Sequence, residues 1–209
     1  MQAVPLTNAK KLGILGGTFD PIHFGHLAIA GEARARAGLD AVLFIPTGEP
    51  PHKPHWQADA EHRYQMSVLA TADNPHFFVS RLEIDRPGPS YTVETLRALR
   101  AIFPRGEFTL IVGADMALDF HRWREPEAIL AQARVLAAAR PGCPLDAADP
   151  RLHDITLLPT PGLDISSTDL RARIAAGGEI RYLVPDPVAA YIRKYGLYCE
   201  KEPGQAHAR

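Results

Sequence analysis

Leu12-Gly13-Ile14-Leu15-Gly16-Gly17-Thr18-Phe19-Asp20-Pro21-Ile22-His23-Phe24-Gly25-His26 is the stretch from which the fold can be read. Leu12 to Leu15 is a short apolar run that ends at the pair Gly16-Gly17. From Phe24 through Leu27, Ala28, Ala30 and Ala33 the apolar residues change to helical spacing. The expectation is a buried strand, a glycine turn and the start of a helix. Such a turn can bring phosphate against main-chain N–H groups. Gly16 and Gly17 remove the side chains that would block that approach. His23 and His26 are spaced to share one helical face at its N-terminal end. The helix dipole there favours an anion by about 0.3–1 kcal/mol per charge.

Other readings of this stretch fare less well. No Gly-Lys-Ser/Thr follows the glycines, so it is not a P-loop. Gly-Ile-Leu-Gly-Gly does not match the dinucleotide fingerprint G-x-G-x-x-G. The two histidines could be half of a zinc site, but no glutamate lies between them and no third ligand is evident. A glycine turn with two incidental histidines is the plainest alternative.

Working outward, the chain of 209 residues fits one domain with a sizeable core. A net charge of −1 argues against a general binder of nucleic acid or acidic membrane. Cys143 and Cys199 lie far apart and form no metal or redox motif, which suits a reduced, cytoplasmic protein. No signal peptide and no membrane-spanning run is evident. Residues 1–10 read as a flexible N-terminus, 11–199 as a single domain and 200–209 as a disordered tail.

Ala41 to Ile45 reads as a second buried strand, so strand-helix-strand implies a right-handed crossover and parallel pairing. After it, Pro46, Pro50, Pro51 and Pro54 exclude a helix interior and favour a stiff loop that carries Lys53, a candidate phosphate contact. Asp59 to about Ala72 is helical and Phe77 to Val79 a short strand. Ser90 or Thr92 is the expected cap of a helix running to about Phe103. Phe108 to Val112 is a strong strand, and Asp115 just beyond it either caps a helix or accepts from a ribose hydroxyl. Helix is expected to continue through Glu127 to Gln132, with further strands at Arg134 to Ala139 and Ile155 to Leu158. Residues 142–153 read as a Pro- and Asp-rich loop. Ser166, Ser167 and Thr168 open a helix, although one hydroxyl suffices for a cap. The surplus, together with Arg171 one turn inside, suggests a second anion site. A last amphipathic helix starts near Pro187 and stops at Gly196.

The segment His23-Phe24-Gly25-His26 resembles the signature of the H-x-G-H nucleotidyltransferase superfamily. Gly-Gly-Thr-Phe-Asp-Pro-x-His-x-Gly-His, Pro-Pro-His-Lys, Ser-Tyr-Thr, Gly-Ala-Asp and Ile-Ser-Ser-Thr occur in the same order as in the bacterial nicotinate-nucleotide adenylyltransferases, over roughly residues 12–198. That resemblance implies an α/β fold of Rossmann-like, doubly wound type, with a mainly parallel sheet and helices on both faces. It implies adenylyl transfer from ATP to nicotinate mononucleotide with release of pyrophosphate. His23, His26, Lys53 and Arg171 would then be catalytic. ATP would lie against Gly16, Gly17, Thr18 and Phe19, the two histidines, Gly113 and Asp115, and Ile165, Ser166, Ser167 and Arg171. Nicotinate mononucleotide would meet Lys53, Ser90, Tyr91, Thr92 and Arg140, its ring stacked on Trp123. Mg²⁺ would ride on the ATP phosphates with no protein ligand. The implied partners are these two small molecules, without nucleic acid or membrane, and self-association into a homo-oligomer is compatible with the reading. A related transferase with another acceptor, such as phosphopantetheine or nicotinamide mononucleotide, or a binding module without chemistry, is the rival; Trp123 and Ser90-Tyr91-Thr92 argue for a pyridine ring, and the intact His23, His26 and Arg171 argue against the module.

Overall fold

Strand β1 (Lys11–Gly17) is central to a six-stranded sheet whose order is β3-β2-β1-β4-β5-β6. The other strands are β2 (Ala41–Pro46), β3 (Phe77–Val79), β4 (Glu107–Gly113), β5 (Ala133–Ala138) and β6 (Ile155–Leu158). The computed structural model describes residues 6–50, 57–139, 145–160 and 162–199. All neighbouring strands pair in parallel, so the sheet is wholly rather than mainly parallel. The strand order reverses between β1 and β4, and open sheets of this kind bind ligands beyond the strand ends at that point.

Period-two alternation sorts the strands' side chains into two cores. Leu12, Ile14, Leu43, Leu110 and Val135 face one layer, with Val93, Leu96 and Leu99 of α3 (Thr92–Ile102) and Ile129 of α5 (Pro126–Leu130). Leu15, Phe44, Ile111 and Leu136 face the other, with residues of α1 (Phe24–Ala37), α2 (Ala60–Thr71), α6 (Ser167–Ala175) and α7 (Asp186–Tyr195). Helices therefore cover both faces, as the resemblance implied. Gly38 ends α1 in the left-handed conformation at φ 61°, and Gly196 ends α7 in the same way at φ 60°.

Three local expectations need correction. Tyr91, not Ser90 or Thr92, is the N-cap residue of α3, and no side chain caps that helix. Gly113, not Asp115, precedes α4 (Ala114–Leu118), which places Asp115 in its first turn. Helix does not run on to Gln132: a 3₁₀ turn at Phe120–Arg122 intervenes, Glu125 stands at φ 52°, and Pro126 starts α5 because it has no N–H to give. Leu6–Asn8 forms a 3₁₀ turn, with Leu6 packed on the core and Ala9 buried. Within the Pro- and Asp-rich segment, Pro150–Leu152 is another 3₁₀ turn and Leu152 is buried. Residues 1–5, most of the Pro-Pro-His-Lys segment, Arg140 with Pro141 to Pro144 (Cys143 among them), and the tail from Glu200 lie outside the described residues.

The loop after β2 is pressed against the one before α3. Ser90 N–H donates to the Glu49 carbonyl at 2.8 Å, and Gly48 packs on the Glu83 carbonyl so closely that a Cβ there would overlap it. Gly48→Ala should therefore destabilise the fold by about 1–3 kcal/mol, the usual range for overpacking. Denaturant unfolding measures this, and an unchanged midpoint would contradict the close approach.

Candidate active site

His23 sits just outside α1, as its N-cap residue in extended conformation (φ −148°), rather than on the helix with His26. Its peptide N–H donates to His26 Nδ1 at 3.2 Å, and the two rings stack with centroids 3.7 Å apart. Phe19, at φ 51°, sets its ring edge-to-face on His26 at 5.0 Å. Because Nδ1 of His26 accepts, the neutral ring carries its proton on Nε2 and can donate from there. A Cβ on Gly25 would lie 2.9 Å from His23 Nδ1, so the glycine between the histidines is what lets the His23 ring fold back. Burial lowers the His23 pKa to about 4. Burial, then the neighbouring His23, hold His26 well below the ordinary imidazole range. Both rings are thus neutral donors near pH 7. His23 Nδ1 is buried and without a partner among the described residues.

The second loaded stretch folds against the first. Ser167 Oγ donates to the Pro21 carbonyl at 2.9 Å across 146 residues of chain. Arg171 Nη1 donates to the Asp20 carbonyl at 2.8 Å, and Nη2 to Thr168 Oγ1 at 3.3 Å. Ser166 caps α6 by accepting from Asp169 N–H at 3.1 Å. All three hydroxyls therefore have protein partners. Main-chain N–H groups in the first turn of α6, and the Arg171 guanidinium, are the groups suited to one. Arg171 Nε is buried and unpartnered among the described residues. Among the described residues, a Cβ on Gly16 or on Gly113 would meet nothing within 4 Å.

On the α3 side of the sheet, Tyr91 lies under the Arg124 guanidinium at 4.7 Å. Trp123, next to Arg124, is half-buried and packs on Phe120 with centroids 5.3 Å apart. Ser90 is buried, while Asp115 at the end of β4 is exposed. The structure thus gathers His23, His26, Ser167 and Arg171 in one place and Tyr91 and Trp123–Arg124 in another. Lys53 and Arg140 lie outside the described residues.

Sequence reading missed Arg63. Its guanidinium has no exposure and donates to the carbonyls of Thr18 at 2.8 Å, Gly48 at 3.2 Å and Ala58 at 3.2 Å. No local pattern marks an arginine in mid-helix for this role. Among the described residues no group of three or more His, Cys, Asp or Glu could hold a metal ion. The donors at the junction fit phosphate oxygens rather than a cation.

This fold, with donors gathered at the reversal of strand order, defines a nucleotidyltransferase of the cytidylyltransferase-like class, and the family profile described as Cytidylyltransferase-like matches residues 14–173. A probable nicotinate-nucleotide adenylyltransferase of Roseiflexus sp. (strain RS-1) is 53% identical over 91% of this chain and 99% of that one. Another, of Arthrobacter sp. (strain FB24), is 47% identical over 93% of this chain and 95% of its own length. The chain belongs to the nicotinate-nucleotide adenylyltransferase family. Among solved structures, the Plasmodium falciparum nicotinic acid mononucleotide adenylyltransferase complexed with NaAD shares the fold, with a TM-score of 0.78, 21% identity, and coverage of 90% of this chain and 97% of that one.

The buried histidines make stability depend on acidity. Between an unfolded imidazole pKa of 6.5 and the folded His23 value of about 4, the unfolded chain takes up a proton that the folded chain refuses. Stability is therefore full above this window and lost as pH falls through it. Unfolding midpoints measured from pH 7 to pH 4 should fall more steeply for the parent than for His23→Asn. Parallel curves would show that His23 is not held neutral.

Proposed function

We propose that the chain transfers the adenylyl group of ATP to the 5′-phosphate of nicotinate mononucleotide, giving nicotinate adenine dinucleotide and pyrophosphate as a step in NAD synthesis. The observation that carries this reading is the convergence of the His23–His26 pair with Ser167 and Arg171 where the strand order reverses. Family membership supplies the substrates.

The nucleophile is already an anionic phosphate, so no strong general base is needed. Charge builds on the non-bridging oxygens of the α-phosphate and on the leaving pyrophosphate. Catalysis then depends on donors placed to meet that charge. His26 offers Nε2–H, Arg171 its guanidinium, and α6 its first-turn N–H groups. Gly16 leaves room for the triphosphate, whereas a Cβ on Gly17 would meet the Phe19 ring at 3.0 Å; Thr18, Phe19 and Ile165 frame the triphosphate, with Gly113 and Asp115 on the ribose side. Lys53 is assigned to phosphate and Arg140 to the acceptor on family resemblance. Holding both substrates in line can supply about 7–11 kcal/mol. Mg²⁺ enters with ATP as part of that substrate, held by phosphate and water oxygens. Among the described residues no helix is long and apolar enough to cross a membrane, and a cytoplasmic setting is part of the same proposal.

The acceptor ring stacks on Trp123 in this reading, near Ser90, Tyr91 and Thr92. Because α3 starts without a side-chain cap among the described residues and only the Glu94 N–H of its first turn is taken, by the Tyr91 carbonyl, the Thr92 and Val93 N–H groups are the ones suited to a carboxylate. An amide NH₂ facing the same donors would leave groups unpaired at about 1–3 kcal/mol each. Pyrophosphate release with a panel of acceptors tests the activity. Nicotinate mononucleotide should exceed nicotinamide mononucleotide in kcat/KM by about tenfold or more; equal values would remove the anion pocket. His26→Ala should lower kcat by about 10²-fold or more, the usual loss for one positioned donor. A folded variant with near-parental turnover would remove His26 from the mechanism.

A further inference from the structure

Two residues that the mechanism leaves unused meet behind the histidine loop. Tyr198 OH donates to Asp20 Oδ1 at 2.7 Å, across 178 residues of chain. Both side chains are buried, Tyr198 at 8% and Asp20 at 4% exposure. Tyr198 stands in the left-handed conformation at φ 67°, just beyond the end of α7. Its ring belongs to the core cluster that contains Phe19, Ile22 and Leu170, so a phenylalanine would supply the same packing. The hydroxyl must serve something other than volume.

Asp20 is fastened on every side. Its carboxylate also accepts from Gln57 N–H at 2.9 Å and Ala58 N–H at 3.2 Å. Its carbonyl accepts from Arg171 Nη1, and the next carbonyl, of Pro21, accepts from Ser167 Oγ. Two residues, Pro21 and Ile22, separate Asp20 from His23. Fixing the Asp20 side chain therefore fixes the backbone that presents His23 and the carbonyl on which Arg171 rests. Burial, then the Asp20 charge, push the Tyr198 phenol well above its ordinary pKa, so it remains a protonated donor.

We propose that Tyr198 and Asp20 are positioning residues for adenylyl transfer: the phenol-to-carboxylate bond holds the Asp20–His23 segment and the Arg171 guanidinium as one rigid set facing the triphosphate. This rests on the adenylyltransferase reading above. The acceptor patch around Tyr91 and Trp123 packs with the opposite core and does not depend on this bond. Loss of the hydroxyl should then damage turnover and spare acceptor binding. Sub-ångström placement matters here, since a misplacement of about 1 Å can cost roughly 10²-fold in rate.

The test is steady-state pyrophosphate release by the full chain and by Tyr198→Phe, Asp20→Asn and the double variant, with Tyr195→Phe as a control from the exposed end of α7. Tyr198→Phe should lower kcat and kcat/KM together by about 10- to 100-fold, with KM for nicotinate mononucleotide within about twofold of the parent. In the Asp20→Asn background the same change should cost little more, because the two residues act through one bond. Tyr195→Phe should match the parent. A Tyr198→Phe enzyme with kcat within about twofold of the parent would overturn the proposal, as would full multiplicative losses in the double variant. If Asp20→Asn does not fold, the kcat of Tyr198→Phe decides alone. A parent chain that releases no pyrophosphate would overturn the adenylyltransferase reading itself, and this inference with it.

Discussion

The ligand-facing end of the sheet depends on one guanidinium. Arg63 is fully buried and spends its donors on three carbonyls from three segments: Thr18 after β1, Gly48 after β2 and Ala58 before α2. Each such carbonyl would cost about 1–3 kcal/mol if left buried and unpaired. Burial lowers the Arg63 pKa, and the nearby carboxylates of Asp20, Asp59 and Glu83 oppose that change. An arginine remains charged in such a setting, where a lysine would give up its proton more readily. The loops at strand ends have to stay open to ligands, so they cannot cover one another. Arg63 braces them from beneath instead, and the small Gly48 leaves room for the adjoining chain around Glu83.

With the loops braced, the charge pattern above them follows. The histidines are stacked and neutral, and Arg171 has given one nitrogen to Asp20. Among the described residues the junction therefore carries modest positive charge and many oriented donors. That is an economical arrangement for a reaction in which negative charge is already present on both substrates. Donors fixed beforehand need no reorganisation when charge shifts from the α-phosphate to the leaving group. A site built from free lysines would instead attract any anion and hold product tightly.

Local chemistry made much of the fold legible. Uninterrupted apolar runs marked β1, β2 and β4 because strands buried on both faces need no alternation, and Gly38 and Gly196 marked helix ends because both stand at positive φ. Misreadings arose where distant contacts overrode local preference. Ser90 looks like a cap, but its segment is tied to Glu49 and buried, so α3 begins after Tyr91 without one. The break before α5 follows from Glu125 and Pro126 together, and Pro126 alone would have been enough warning. At the site, the motif residues were readable one stretch at a time. What could not be read was their meeting: the Ser167–Pro21, Arg171–Asp20 and Tyr198–Asp20 bonds join positions with no sequence pattern in common. The partners of the Ser166, Ser167 and Thr168 hydroxyls were equally hidden, because they are remote or belong to the helix itself.

The central place of β1 also shapes how the protein is made. Lys11–Gly17 is made before every other strand of the sheet, yet only one of its edges finds a partner soon, in Ala41–Pro46. The other edge waits for Glu107–Gly113. During that interval Leu12, Ile14 and Leu15 lie along a strand with one edge unpaired, and α7 is still to be synthesised. An open apolar edge of this kind is a template for pairing with another chain. The residues that hold the glycine turn in the finished enzyme thus present an open strand edge while it is being built, until the second half of the sheet arrives.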